Sequence, residues 1–211
     1  MTYSVKEIYY TLQGEGARAG RAAVFLRFSG CNLWSGLEKD RAAAACRFCD
    51  TDFVGTDGPG GGKFVDAAAL ARAVFAQWPH DAGGKPYIVC TGGEPLLQID
   101  PPLIAALKQQ GFEIGIETNG TLLPPPGIDW ICVSPKAGAE QKLTRGDELK
   151  LVYPQPGAEP ERYAGQDFRN FFLQPMGNAR QNENTAAAAA YCLRNPRWRL
   201  SLQTHKLIGI R

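Results

Sequence analysis

Short apolar runs alternate with amphipathic runs along this chain, and that alternation limits the fold more than any other feature. The strand-like runs are residues 22–28, 86–91, 112–118, 130–134, 148–153, 168–173 and 198–204, the last of which we expect to close the chain as a strand. Between them, apolar residues recur at helical spacing in residues 65–78, 96–110 and 184–194. Strands that alternate with helices form parallel β/α units. We therefore predict an α/β fold, with residues 1–211 as a single domain and flexible loops at 55–63 and 154–160.

Polar side chains recur where these predicted strands end. Thr91-Gly92-Gly93-Glu94-Pro95 and Glu117-Thr118-Asn119-Gly120 follow two of the strands, and Ser134-Pro135-Lys136 and Gln174-Pro175-Met176-Gly177 follow two more. In parallel β/α sheets, ligands bind at the carboxyl ends of the strands. The recurrence predicts one site, surrounded by several strand ends.

Composition excludes several classes of protein. Hydrophobic residues make up 44% of the 211 residues and charged residues 21%, which is ordinary globular usage. A net charge of +2 favours no nucleic-acid partner. No apolar stretch approaches the roughly 20 residues that span a bilayer, and the first residues lack a signal region. We expect a cytoplasmic protein, in which six cysteines indicate metal or redox chemistry rather than disulfides.

The cysteines divide into two groups. Cys90 and Cys132 lie in apolar strands and Cys192 follows an alanine-rich helix, so we interpret these three as core residues. Cys31, Cys46 and Cys49 have the spacing C-x14-C-x2-C. Three thiolates are one short of a closed zinc site or a fully ligated cubane cluster, and an iron without a protein ligand can bind a small molecule. Zinc would need a fourth ligand, and neither His80 nor His205 has finger-like spacing to the pair.

At these residues the chain resembles the radical S-adenosylmethionine (SAM) superfamily, in which three cysteines hold a [4Fe-4S] cluster whose open iron binds SAM. The usual spacing is C-x3-C-x2-C, and this chain has fourteen residues in the first gap. Phe48, just before the last cysteine, matches an aromatic residue that lies against the adenine. Gly92-Gly93-Glu94-Pro95 resembles the second signature, which binds the SAM amino group.

A narrower resemblance, over residues 11–205, is to the superfamily's lyases that contract the ring of a carboxylated tetrahydropterin. It is carried by TLQGEG at 11–16, FLR at 25–27, CDT at 49–51, ETNG at 117–120, VSPK at 133–136 and LQPM at 173–176. The resemblance implies conversion of 6-carboxy-5,6,7,8-tetrahydropterin to 7-carboxy-7-deazaguanine with loss of ammonia, in queuosine and 7-deazapurine biosynthesis. It implies a partial, shortened β/α barrel of the radical SAM type. It also implies a homodimer, a magnesium ion and an electron donor of the flavodoxin or ferredoxin type.

The same resemblance assigns roles to individual residues. It implies that Thr51 binds magnesium and that the SAM contacts are Phe48, Cys49, Asp50, Gly92, Gly93, Glu94, Ser134, Pro135, Lys136, Gln174, Pro175 and Met176. For the implied substrate, a carboxylate calls for a guanidinium, and Arg27 stands in an otherwise apolar strand. The N–H donors of the amino-pyrimidinone edge suit the carboxylate of Glu117. Further substrate contacts are expected from Leu12, Gln13, Gly14, Glu15, Thr91 and His205.

Simpler interpretations remain open at this stage. Arg27, Glu117 and Lys136 could be surface charges, and His205 could be a structural histidine. Within the superfamily, the alternative is an activase that makes a glycyl radical on a partner protein. In other classes, the alternatives are an iron-sulfur electron carrier and a zinc-stabilised binding module.

Overall fold

A computed structural model describes residues 2–81 and 83–211, and the strands in those residues form one nine-stranded sheet. The strand order is β3-β1-β2-β4-β5-β6-β7-β8-β9. The strands are β1 (Tyr3–Leu12), β2 (Ala22–Phe28), β3 (Gly62–Phe64), β4 (Tyr87–Gly92), β5 (Glu113–Thr118), β6 (Trp130–Val133), β7 (Arg145–Tyr153), β8 (Asp167–Pro175) and β9 (Trp198–Leu200). The helices are α1 (Ala67–Phe75), α2 (Pro101–Gln109), α3 (Gln181–Arg194) and α4 (Thr204–Ile208).

Seven neighbouring strands run parallel to one another: β2, β4, β5, β6, β7, β8 and β9. At one edge, β1 pairs antiparallel with both β2 and β3. Among the described residues, the first and last strands of this order, β3 and β9, do not pair with each other, so the sheet is an open, partial barrel. This architecture confirms the predicted α/β fold. None of the helices that the structure describes is long and apolar enough to cross a bilayer.

Helices α1, α2 and α3 cover one face of the sheet, because alternate residues of each strand are apolar and point to that side. Helices α1 and α2 bury Leu70, Val74, Leu103 and Leu107 against the strands from β1 to β5. Helix α3 packs in the same way on β7 to β9. The opposite, inner face is left to the polar and aromatic side chains of the site.

The segment that follows β1 crosses this inner face and partly fills the barrel. Gln13 Nε2 donates a hydrogen bond to Glu117 of β5 (3.1 Å), and the Ala17 amide donates one to Glu148 of β7 (2.8 Å). The Thr204 amide, beyond β9, donates to the Gly14 carbonyl (2.9 Å). These bonds bring residues from opposite ends of the sheet to one place.

The helix predicted at 65–78 spans Ala67–Phe75, and the other two predicted helices begin farther from their predicted starts. The helix predicted at 96–110 begins only at Pro101, because Asp100 caps it by accepting a hydrogen bond from the Leu103 amide (3.0 Å). Residues Pro95–Leu97 form a separate 3-10 turn. The helix predicted at 184–194 begins earlier, at Gln181.

Two further expectations about elements were wrong. The strand predicted at 198–204 ends at Leu200, and Thr204 opens helix α4, since the Thr204 amide and hydroxyl both bond to Gly14 rather than to a strand. The loop predicted at 55–63 includes the start of β3 and follows the edge of β1, where the Gly58 amide donates to the Lys6 carbonyl (2.9 Å). Strand β1 was not predicted, because charged and polar residues interrupt its apolar pattern.

Candidate active site

Three thiols lie together in the loops that follow β2. Cys31 comes just after β2, and Cys46 and Cys49 follow the 3-10 turn Glu38–Ala43 in the long connection between β2 and β3. The Cys46 and Cys49 thiols interact, and this interaction lowers the pKa of Cys49 to about 6 and raises that of Cys46. Burial raises the pKa of Cys31, which lies close enough for its charge to act on both. None of the six cysteines is in a disulfide.

This donor set fits an iron-sulfur cluster. A cubane cluster is held by cysteine thiolates, and three of them leave one iron open to a small molecule. Cys90 and Cys132 lie in β4 and β6 and are buried, and Cys192 is half-buried in α3, in agreement with the core interpretation.

The Gly92-Gly93-Glu94 segment packs directly on the start of the cluster loop. The Glu94 amide donates to the Gly30 carbonyl (2.9 Å), and the Gly93 amide donates to the Phe28 carbonyl (3.3 Å). A Cβ at Gly93 would collide with the Gly30 carbonyl oxygen, so this position requires glycine. The signature therefore has a structural role beside its predicted contact with SAM.

The Glu94 side chain ties this segment to the next strand. Its carboxylate accepts hydrogen bonds from the Thr118 hydroxyl (2.7 Å), the Asn119 amide (2.8 Å) and the Leu96 amide (3.0 Å). Burial raises the pKa of Glu94, against the effect of these donors. Asn119 Nδ2 in turn donates to Asn32 Oδ1 in the cluster loop (2.9 Å).

A cavity of about 390 Å³ lies on the inner face of the sheet. All eight residues predicted to contact substrate line it, which the sequence could not show: Leu12, Gln13, Gly14, Glu15, Arg27, Thr91, Glu117 and His205. Polar and charged residues that the sequence reasoning missed also line this cavity, among them Lys6, Glu7, Tyr9, Gln203 and Arg211.

A second cavity, of about 130 Å³, lies beside the cysteines. It is lined by Cys46 and by seven of the residues predicted to contact SAM: Phe48, Cys49, Asp50, Lys136, Gln174, Pro175 and Met176. The other predicted SAM contacts, Gly92, Gly93, Glu94, Ser134 and Pro135, lie outside its lining, as does Cys31. Asp50, Thr51 and Gln203 line both cavities, so the two adjoin.

Arg27 is not a surface charge. Its side chain is 17% exposed, and its Nε atom donates to Glu7 Oε1 (2.8 Å). One terminal nitrogen donates to the Tyr9 hydroxyl (3.1 Å). Arg211 pairs with the other oxygen of Glu7, so two guanidinium groups flank one carboxylate at the wall of the larger cavity.

Lys136 lies close to the cysteines. Its Nζ atom donates to the carbonyl oxygen (2.6 Å) and the hydroxyl (2.7 Å) of Ser134. Burial lowers the pKa of Lys136, and the charges of Cys46 and Cys49 oppose that effect. A cation here is well placed to balance thiolates and any anionic group bound beside them.

His205 belongs to helix α4, and not to the end of a strand as the sequence suggested. Its ring lies against Gly14, where any Cβ would collide with it. Burial lowers the pKa of His205, against the effect of the Glu15 charge. Gly14 and His205, both predicted as substrate contacts, therefore form one surface of the cavity.

Lys150 was missed by the sequence reasoning. Its Nζ atom lies 2.6 Å from Glu15 Oε2 and 2.7 Å from Glu117 Oε2, and the side chain is only 5% exposed. A signal did exist, because Lys150 stands between two leucines in a strand just as Arg27 stands between Leu26 and Phe28.

The open parallel barrel with three cysteines after its first parallel strand defines a radical SAM protein. Residues 41–147 match the family model described as Radical SAM superfamily. More specifically, the chain belongs to the 7-carboxy-7-deazaguanine synthase family. It is 64% identical to the 7-carboxy-7-deazaguanine synthase of Bordetella pertussis over 210 residues and 62% identical to that of Caulobacter vibrioides, each match covering 100% of both chains.

A solved structure agrees with this assignment. QueE from Escherichia coli superposes with a TM-score of 0.65 at 25% sequence identity, covering 96% of this chain and 94% of that one. Membership of the radical SAM superfamily implies a [4Fe-4S] cluster and SAM as cofactors. The resemblance predicted from the sequence is confirmed.

Proposed function

We propose that this chain is a carbon-nitrogen lyase that converts 6-carboxy-5,6,7,8-tetrahydropterin to 7-carboxy-7-deazaguanine with loss of ammonia, in 7-deazapurine biosynthesis. The observation that carries this proposal is the single cavity lined by all eight predicted substrate contacts, which adjoins the cavity beside the cysteines. Relatives at 60–64% identity bear the corresponding name.

In this proposal, Cys31, Cys46 and Cys49 hold the cluster, and the residues along the smaller cavity hold SAM. When bound, these two groups supply the one-electron chemistry that breaks an unactivated C–H bond. The protein orients the substrate and excludes water from the reacting atoms.

Charge complementarity supports the assignment of the substrate's two ends. Arg27 would face the carboxylate, since a guanidinium recognises that group with parallel hydrogen bonds. Glu117 and Gln13, which contact each other, would accept and donate along the amino-pyrimidinone edge. Arg27 on β2 and Glu117 on β5 are separated by β4 in the sheet and line one cavity, which suits a substrate with two polar ends.

We assign magnesium to Thr51 on the family resemblance, and Thr51 lines both cavities. Magnesium keeps several waters and takes few protein oxygens, so one hydroxyl and the substrate carboxylate suffice as further ligands. Asp50, which pairs with Lys206 at 2.8 Å, is the neighbouring acid. The family resemblance supports an electron donor of the flavodoxin or ferredoxin type and a homodimer. The free thiols of the six cysteines are consistent with the proposed cytoplasmic location.

The test is to incubate anaerobically reconstituted, reduced protein with SAM, magnesium and the tetrahydropterin and to identify the product by mass. The expected product is 7-carboxy-7-deazaguanine, together with ammonia. Cleavage of SAM without turnover of the pterin would favour an activase. A protein that holds iron and sulfide but does not cleave SAM would be an electron carrier, and one that holds only zinc would be a binding module.

A further inference from the structure

Lys150 occupies a position in β7 that an apolar residue would ordinarily fill. Its neighbours Leu149 and Leu151 are fully buried and belong to the core beneath α3. Because side chains alternate along a strand, Lys150 and Glu148 point to the inner face instead. Lys150 is 4% exposed overall, and it is absent from the lining of both cavities.

The ammonium joins two carboxylates that reach it from separate parts of the chain. Glu15 comes from the segment after β1 and Glu117 from β5, and each gives one oxygen to Lys150. The other oxygen of Glu15 accepts hydrogen bonds from Gln174 Nε2 (3.0 Å) and Gln203 Nε2 (2.9 Å). The other oxygen of Glu117 accepts one from Gln13. Both carboxylates therefore have fixed orientations at the cavity wall.

The surroundings contain more acid than base. The titratable groups that face Lys150 from the packed elements are Glu15, Glu117, Glu148, Cys132, Lys136 and His205. Burial disfavours the ammonium, but the facing acids outweigh burial and raise the pKa of Lys150. Burial likewise opposes ionisation of Glu15, but Lys150 and Gln203 lower its pKa to about 2.

We infer that Lys150 is a positioning residue for substrate recognition, which acts by holding Glu15 and Glu117 side by side as two oriented acceptors. Two half-buried carboxylates repel each other unless a cation lies between them. The amino-pyrimidinone edge offers N–H donors, and a protonated carboxyl group cannot match them in the same way. This inference rests on the proposed function, because it assumes a ligand with such an edge.

The experiment compares Lys150→Met, which removes the charge at similar volume, with Lys150→Arg, which keeps the charge. Arg21→Met is the matched control, since it removes a cation from Glu113 at an ion pair outside both cavities. For each protein, the dissociation constant of the tetrahydropterin is measured by calorimetry with the cluster left oxidised, so that no turnover occurs. KM, kcat, substrate-free SAM cleavage and the melting temperature are measured alongside.

In Lys150→Met we expect the dissociation constant and KM for the pterin to rise about thirtyfold, which is the change in affinity that loss of one hydrogen bond to a charged group typically causes. Substrate-free SAM cleavage should persist. Without the cation, the pKa of Glu15 rises, so the defect should be largest in the weakly acidic range and should shrink as the pH increases. Lys150→Arg should show a smaller defect that does not change with pH, because the charge remains.

A merely structural lysine gives a different result. Lys150→Met would then bind the pterin as tightly as Arg21→Met does, at every pH, whatever its melting temperature, and the inference would be wrong. If Lys150→Met does not fold, Lys150→Gln, which also removes the charge, takes its place: a raised KM with unchanged SAM cleavage supports the role, and a KM equal to that of Arg21→Met overturns it. Failure of the unmodified protein to convert the pterin would instead overturn the proposed function.

Discussion

Arg41 Nη1 donates hydrogen bonds to the backbone carbonyls of Arg47 (2.9 Å) and Cys49 (3.0 Å). Arg41 lies in the 3-10 turn Glu38–Ala43, within the fourteen residues that separate the first two cluster cysteines. Its guanidinium also stacks 4.1 Å from the ring of Trp34, which is buried edge-on against Phe53. The fourteen-residue insertion thus contacts the C-x-x-C loop through Arg41. The usual superfamily spacing has only three residues in this gap.

Removing the Arg41 hydrogen bonds should weaken the protein's hold on the cluster without unfolding the protein. In Arg41→Ala we expect iron to be lost to a chelator several-fold faster, because two carbonyls of the ligand loop lose their donor. The exposed Lys39→Ala in the same turn is the control and should lose iron at the normal rate. The measurement is the decay of the cluster's visible absorbance under anaerobic chelation. Equal decay in the two variants would show that the loop holds its shape unaided.

The ligand assignment predicts a clear division among the six cysteines. Changing Cys31, Cys46 or Cys49 to Ala should abolish SAM cleavage, because each removes one of three thiolates. Changing the buried Cys90 or Cys132 to Ala should cost about 1 kcal/mol of stability and leave the cluster competent. Iron and sulfide content with SAM cleavage, measured in parallel, checks both statements. A Cys90→Ala protein without iron, beside a Cys31→Ala protein that retains it, would refute the assignment.

Replacing Thr51 should change the magnesium concentration that turnover requires and leave the cluster intact. In Thr51→Ala we expect the magnesium concentration for half-maximal turnover to rise at least about tenfold, as losses around a metal site commonly do. Thr51→Ser keeps the hydroxyl and should behave nearly as the unmodified enzyme. Titration of turnover with magnesium, together with the cluster spectrum, separates the two effects. Equal turnover of the unmodified enzyme with and without magnesium would exclude this role for Thr51.

Arg27 should decide binding of the substrate carboxylate. Since removing one partner of a buried charge pair costs about 3–5 kcal/mol, Arg27→Ala should lower kcat/KM for the pterin roughly a hundredfold or more. Arg27→Lys should recover only part, because lysine keeps the charge and loses the planar fork. Substrate-free SAM cleavage should survive both changes.

The control for Arg27 is Arg169→Ala, which breaks an ion pair to Asp147 whose arginine is 79% exposed. Exposed pairs contribute little to stability, so this variant should turn over normally. Pterin turnover in Arg27→Ala equal to that of Arg169→Ala would show that the carboxylate is bound elsewhere, and it would favour a protein substrate.

Local sequence patterns predicted most of the strands and helices. They failed where hydrogen bonds between residues far apart in the sequence determine the structure. Helix α1 was predictable because Asp66 caps it by accepting from the Ala69 amide (2.7 Å), a contact within one turn. The predicted last strand failed at Thr204 because the decisive partner, Gly14, lies far away in the sequence. Strand β1 escaped notice for a related reason: Lys6 and Glu7 break its apolar pattern but bond to Asp57 and Arg27.

The sequence by itself determined the class of protein, because cluster thiolates, glycine turns and capping residues act through their chemical identity and their spacing along the chain. It also singled out Arg27, since a charge inside an apolar strand is costly unless it is used. Only the tertiary structure decided which residues share a cavity and which partners set their charge. Three contacts show this. Glu7 pairs with Arg27, and Lys150 pairs with Glu15 and Glu117. Arg41 donates to the backbone carbonyl of Cys49. Their strength depends on burial and distance, and neither quantity can be read from sequence order.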